Sequence, residues 1–327
     1  MTSYDVAEYA GVSQSAVSRC FKPGASVSKK MRERVMKAVE ELGYQPNAIA
    51  RGLITRRSNI VAVIVSNLSV YPEVLSALSR EFSERGVRVL LFTLSRESDV
   101  RDVIMQVLQY QVDGVVAAAH LDAREVAAFR KRNIPLVFFN RSYSDYGVSS
   151  VMCDQWGGEK ALVDLLLARK SHKRFAVVAG PEDSVVATQR SEGALQALKR
   201  HGINRVTTVA GDYSYDSGWH AALTLWARKT RPDAVLCAND VMAFGALDAL
   251  RHELGVQVPE EVSVVGFDGT RAGRWASFAL TTVRQPVEQM AAAAVSLLLE
   301  RVEEPALGPE QRLFPGELII GKTHRPV

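Results

Sequence analysis

Residues 4–19 read YDVAEYAGVSQSAVSR, and this stretch decides the fold of the amino-terminal part of the chain. From Ser3 onward, Val6, Ala7, Tyr9 and Ala10 supply an apolar face to a first helix over Tyr4 to Ala10, which Gly11 breaks. Ser13 then suits an N-cap, because its hydroxyl can accept a backbone N–H of the next turn. It opens a second short helix, Gln14 to Phe21, with Ala16, Val17 and Phe21 apolar. Two short helices joined by a tight glycine-containing turn read as helix-turn-helix. A third helix is predicted from a Ser28 cap over Lys29 to Leu42, where Met31, Val35, Ala38, Val39 and Leu42 form one stripe and Gly43 is the stop. Its other positions hold Lys29, Lys30, Arg32, Arg34 and Lys37, a cationic surface that by itself also reads as the solvated face of a three-helix bundle.

Charge sharpens this reading. The 327 residues carry 40 basic and 36 acidic side chains, a net of +4. Ten of the basic residues and only five of the acidic ones fall in residues 1–57, so the head is +5 and the remainder −1. A small basic head on a neutral body suits a polyanion, either nucleic acid or a membrane surface. Cys20, Cys153 and Cys237 are far apart and form no CxxC unit, which excludes a disulfide framework and a cysteine zinc site. The N-terminus has no basic segment followed by an apolar one, and no apolar run approaches the roughly 18 residues of a membrane span. A cytoplasmic, non-membrane protein is expected.

After Ser58 the texture changes. Apolar runs IVAVIV (60–65), VRVLLF (87–92), GVVAAA (114–119), PLVFF (135–139), FAVVAG (175–180), AVLCA (234–238) and VSVVGF (262–267) alternate with helical stretches such as 72–85 and 187–201. Continuous apolar strands between amphipathic helices predict an α/β core of parallel, doubly wound sheets covered on both faces. Ligands of such folds sit beyond the strands' carboxyl ends. No phosphate-binding loop, GxGxxG, GxSxG or HExxH motif is present, and the six histidines form no ligand pair, so neither an enzyme nor a bound cofactor or metal is expected.

The run at 4–19, followed by VSKKMRERVMKAVEELGYQPNAIARGL at 27–53, resembles the DNA-binding headpiece and hinge of the LacI/GalR family of bacterial transcription regulators, and the likeness continues to about residue 325. The resemblance implies a helix-turn-helix headpiece at 1–45, a hinge helix or linker at 46–57, and a periplasmic-binding-protein-like core at 58–327. In that core the chain passes between two subdomains near 155, 285 and 312, giving an N-subdomain of about 58–154 and 285–312 and a C-subdomain of about 155–284 and 313–327. Base readout falls by resemblance on Gln14, Ser15 and Arg19, since Gln pairs bidentately with adenine and Arg with guanine. Ser13, Ser18, Lys22 and Ser28 are expected at phosphates, with a solvent-facing hydroxyl the alternative for Ser18. Pro46 ends the preceding extension, and Asn47 and Ala48 open a segment too short and too glycine-weakened to hold as an isolated helix. In the family it forms over the minor groove with a leucine wedge, here Leu53, and Arg51, Arg56 and Arg57 add charge.

Effector contacts are expected just past the strand ends, at Ser66, Asn67, Tyr71, Asn140, Arg141, Asp154, Arg190, Asn239, Asp240, Asp268 and Gln285. Of these Arg190, Asn239, Asp268 and Gln285 match family effector positions. Tyr213, Tyr215 and Trp219 lie where the family often sends an aromatic across the ligand, with buried packing an equal alternative, and Arg274 and Trp275 stand in a segment unlike the family's usual one. Arg141 with Arg190 favours an acidic or phosphorylated sugar over a neutral one. The implied protein is a repressor that binds a pseudo-palindromic operator as a homodimer, switched by a small sugar-like molecule. Helix 72–85 and the stretch near 242–254 are the expected dimer contacts, and no leucine heptads follow ELIIG at 317–321 to tetramerise it.

Overall fold

The computed structural model describes the chain apart from residues 22–24, 46–56, 67–71, 95–99, 142, 144, 145, 169–171 and 327. Lys22, Asn47, Ala48, Arg51, Leu53, Arg56, Asn67 and Tyr71 therefore lie outside the described residues. The chain divides into two compact units, Met1–Asn59 and Ile60–Val327.

The first unit contains α1 (Ser3–Tyr9), α2 (Gln14–Cys20) and α3 (Lys29–Glu41). Helix α1 starts a residue earlier than expected because Thr2 and Asp5 form a capping box. The Thr2 N–H donates to the Asp5 carboxylate at 2.7 Å and the Thr2 hydroxyl accepts the Asp5 N–H. Ser13 and Ser28 cap α2 and α3 through Ala16 and Met31. Val6, Ala7, Ala10, Val17, Cys20, Val35 and Ala38 make the core. The cationic face of α3 is less uniform than its sequence suggests. Arg32 donates to the carbonyl of Cys20 at 2.8 Å and Arg34 to that of Ala10, so two of its cations close the last turns of α2 and α1.

The second unit holds two six-stranded sheets. The first is built from β1 (Ile60–Val65), β2 (Arg88–Thr93), β3 (Gly114–Ala118), β4 (Leu136–Phe139), β5 (Ser149–Cys153) and a late strand, β11 (Gln311–Phe314), in the order β11-β5-β4-β3-β1-β2. The second comprises β6 (Phe175–Val178), β7 (Val206–Val209), β8 (Ala234–Cys237), β9 (Ser263–Asp268), β10 (Thr281–Arg284) and β12 (Glu317–Ile319), in the order β12-β10-β9-β8-β6-β7. Every pairing is parallel except β10 with β12. Helices α4 (Pro72–Glu84), α5 (Val100–Gln109), α6 (Ala123–Arg130) and α11 (Val287–Glu303) belong to the first lobe, and α7 (Gln155–Leu167), α8 (Val185–Arg200), α9 (Tyr215–Trp226) and α10 (Asp240–Asp248) to the second.

The chain passes between lobes at Asp154, at Gln285–Pro286 and at Pro315–Gly316. The last passage lies after β11, beyond the expected 312, because residues 311–314 pair with β5 before the chain leaves the first sheet. Gly316 suits that passage: a Cβ there would sit 2.4 Å from Val283 Cγ1. One apolar cluster, including Val63, Phe139, Leu162, Phe267, Val283 and Ala294, runs through both lobes.

Strands 149–153, 206–209, 281–284 and 311–314 were not anticipated. SSVMC opens on two serines that the fold nevertheless buries, and Ser149 Oγ accepts the Glu310 N–H at 3.1 Å. Helix α10 is enclosed on nearly all sides, which leaves the expected dimer stretch 242–254 little apolar surface; the exposed apolar residues include Leu91 on β2, Met105 on α5 and Tyr110 just past it. His172 and His324 are buried, where His172 meets the Leu166 carbonyl and the Ser263 hydroxyl, and burial lowers both pKa values.

Candidate functional site

A cleft of about 520 Å³ opens at the carboxyl ends of the strands, between the lobes. Seven of the expected ligand residues line it: Asn140, Arg141, Arg190, Tyr213, Asn239, Asp268 and Gln285, and Arg274 joins them. Ser66 does not, since the first lobe's described wall is made by the end of β4 and the starts of α4 and α11. Asp154 caps α7 through the Gly157 N–H, and Asp240 is fully buried, where it accepts from Thr270 and Thr282. Tyr215 donates to Asp248 and tilts against Trp219, while Trp275 is 58% exposed; none of these three borders the cleft.

Five side chains close a ring beneath it. Arg190 Nε donates to Gln155 Oε1 at 2.8 Å, and Gln155 Nε2 donates to Asn140 Oδ1 at 3.0 Å. Asn140 Nδ2 donates to Gln285 Oε1 at 2.9 Å, and Gln285 Nε2 to Asp268 Oδ1 at 2.7 Å. Arg190 Nη2 completes the circuit to Asp268 Oδ1 at 2.8 Å. Asn140 belongs to the first lobe, Arg190 and Asp268 to the second, and Gln155 and Gln285 stand at two of the passages between them. The third Arg190 donor group reaches the Ala238 carbonyl, and the guanidinium carbon lies 3.9 Å from the Phe267 ring centroid.

Backbone strain marks the same place. Asn140, Tyr213 and Asp268 have φ of 52°, 69° and 121°, a region L-residues occupy at a cost of about 1–3 kcal/mol. Gly269 follows with φ 67°, and a Cβ there would fall 2.3 Å from Arg284 Cα. Asn239 spends both ends of its amide, accepting the Met242 N–H as the cap of α10 and donating to the Tyr213 carbonyl, which fixes the aromatic's loop. Ser184 caps α8 at the cleft wall.

Electrostatics follow from burial. Burial pushes the Glu159 carboxyl, under the cleft on α7, up to about 8 against the opposing pull of Arg190. Burial also raises Asp268, held back by Arg190 and Gln285, and raises Asp240 with help from the Asp268 charge. The Arg190 guanidinium pays for its burial and is still held firmly protonated by Asp268. Sequence reasoning missed Gln155, Glu159, Arg271 and Arg284. Gln155 and Glu159 lie in the first turns of a helix and in no motif, and the two arginines, one just after β9 and the other the last residue of β10, stand at positions the family likeness did not single out.

In the head, Ser15, Ser18 and Arg19 are exposed on α2, and Gln14 is half-buried, donating to Ser3 Oγ at 3.3 Å. Ser13 and Ser28 are also exposed. Among the described residues no three or more His, Cys, Asp or Glu side chains gather to hold a metal, and no helix is long and apolar enough to cross a membrane.

Residues 2–47 match the family described as bacterial regulatory proteins, lacI family, and residues 163–324 match a periplasmic binding protein-like domain. The HTH-type transcriptional regulator CelR of Thermobifida fusca is 33% identical, over 97% of this chain and 96% of its own. The chain belongs to the LacI family. Among solved LacI-family structures, the lac repressor dimer bound to operator and the anti-inducer ONPF superposes with a TM-score of 0.89 at 31% identity, covering 99% of this chain and 98% of that one. A complex of the transcriptional regulator CelR with cellobiose gives 0.74 at 31% identity, over 99% of both chains. The LacI-family match at 2–47 takes in all three helices of the head, and the four positions carried over by family likeness, Arg190, Asn239, Asp268 and Gln285, all lie on one cleft.

Proposed function

We propose that the protein is a transcriptional repressor that binds a pseudo-palindromic operator as a homodimer and is switched by a small sugar-like effector carrying an acid group, bound between the core lobes. The observation that carries this reading is the polar ring spanning two interlobe passages at the floor of the cleft. A ligand that bonds Asn140, Asp268 or Gln285 touches the same side chains that join the lobes, which couples ligand occupancy to lobe arrangement. The acid group is supported by Arg141, Arg271 and Arg274 on the cleft walls. In the head, Gln14, Ser15 and Arg19 are proposed to read bases in the major groove, with Ser13, Ser18, Lys22 and Ser28 on phosphates. In the hinge, Asn47, Ala48, Arg51 and Leu53 are proposed to meet the minor groove. Relatives of known structure support the pairing of operator, small molecule and dimer, since the lac repressor carries all three.

The test is a thermal-shift panel of neutral sugars, sugar acids and sugar phosphates on the full chain, followed by operator binding with each compound that raises the melting temperature. An acidic or phosphorylated sugar that both stabilises the protein and changes operator affinity at least tenfold is the expected result. Binding of neutral sugars alone would remove the acid group from the reading, and stabilisation without any effect on DNA would remove the switch.

A further inference from the structure

The cleft's charges do not balance. Arg190 bonds Gln155, Asp268 and the Ala238 carbonyl, and its charge is already paired with that of Asp268. Arg284 pairs with Glu317, and Glu288 pairs with Arg80. Three lining guanidiniums, those of Arg141, Arg271 and Arg274, have no ion pair among the described residues. The carboxylate left to face them is Glu73, which meets the backbone N–H of Arg271 at 3.5 Å. Arg141 is only 8% exposed, and its Nη1 is buried without a hydrogen-bond partner. A guanidinium so placed is costly unless something charged completes it.

These arginines come from opposite walls. Arg141 follows β4 in the first lobe, whereas Arg271 and Arg274 lie in the 3-10 turn after β9 in the second. We propose that the acid group of the effector is a phosphate monoester, shared between Arg141 on one lobe and Arg271 and Arg274 on the other, in a subsite separate from the ring. This rests on reading the cleft as the effector site. A phosphate monoester carries about −1.5 to −2 at neutral pH and three strong acceptor oxygens, which suits three guanidinium forks opposed by one carboxylate; a single carboxylate offers half the charge and two oxygens. With no anion bound the three cations repel across the cleft. A shared dianion reverses the sign of that interaction and draws the walls together.

The probe is inorganic phosphate on the full chain, at constant ionic strength in chloride, read by thermal shift and calorimetry with sulfate in parallel. Wild type should show a saturable rise in melting temperature. Arg274→Gln, an exposed position that leaves the core intact, should weaken phosphate at least tenfold, and Arg141→Gln should do the same, while Arg19→Gln in the head should change it by less than twofold. Inorganic phosphate loses its second proton near neutral pH, somewhat above a phosphate monoester, so its affinity should rise as pH passes from mildly acidic to mildly alkaline, with sulfate flat over that range. The subsite is overturned by the absence of a saturable response, by a response unchanged in Arg274→Gln, or by one lost in Arg19→Gln. Retention of binding by sugar acids or neutral sugars in those cases leaves the cleft as the effector site and removes only the phosphate.

Discussion

At the residue scale, the ring beneath the cleft has a fixed direction. Arg190 can only donate and an ionised Asp268 can only accept, so each of the three amides between them has one permitted orientation. Gln155 sets that direction, because its Oε1 must face Arg190 and its Nε2 then faces Asn140. Replacing it by Glu keeps the bond from Arg190 but supplies no donor to Asn140. The Asn140 and Gln285 amides then reverse, and an oxygen of Gln285 meets the Asp268 carboxylate. Gln155→Glu should therefore melt several degrees below wild type at pH 8 and approach it at pH 5, where a proton restores a donor; Gln155→Met should lose stability by an amount independent of pH. Melting curves across that range decide it. Glu159 bears on the same profile. Its folded pKa of about 8 exceeds the ordinary carboxylate value, so the folded state holds a proton that the unfolded state has released between roughly pH 4.5 and 8. Stability is thus fully present below that window and falls as pH rises through it. Glu159→Gln should flatten this slope, with a gain in melting temperature at pH 8 that vanishes near pH 4.5; an equal gain at both would contradict the assignment.

At the element scale, the helices of the head were legible because their signals are local. Ser13 and Ser28 announce α2 and α3, and the stripe of Met31, Val35 and Ala38 sets the buried face. The bonds of Arg32 and Arg34 were not legible, since long side chains crossing to a carbonyl 12 or 24 residues away leave no periodicity. Strand β5 was hidden for a related reason: its serines are buried by pairing with β11, more than 150 residues later. The cap at Ser13 also separates two roles. Its hydroxyl accepts the Ala16 N–H and lies 3.0 Å from the Ser15 hydroxyl, and these two exposed groups can turn a proton toward a phosphate oxygen. Ser13→Asp should preserve the cap, since Asp serves there as well as Ser, yet repel DNA. Ser13→Ala should cost about 1 kcal/mol of head stability. Unchanged melting of the head with operator affinity down at least tenfold in Ser13→Asp is the expected pair of results.

For the whole molecule, alternation of apolar strands and helices was enough to foresee two parallel sheets and a crevice, and family likeness placed four residues on it. What joins the lobes was out of reach. The ring links residues up to 145 positions apart, and the last passage falls three residues past the expected 312 because QRLF at 311–314, alternately exposed and half-buried, carries little strand signal. The head's arginines have one further consequence, for the ions around DNA. A cation already bonded to the protein's own carbonyls displaces fewer condensed counterions from a duplex than a free one, so the formal charge of +5 overstates what each head can release. The logarithm of operator affinity against that of salt concentration should lose about 0.9 in slope for every phosphate contact removed. Lys29→Gln and Lys30→Gln, both on exposed side chains, should each flatten it by about that amount per head, and Arg32→Gln should leave it unchanged. The head's formal charge then divides into one part that releases salt and another that holds helices together.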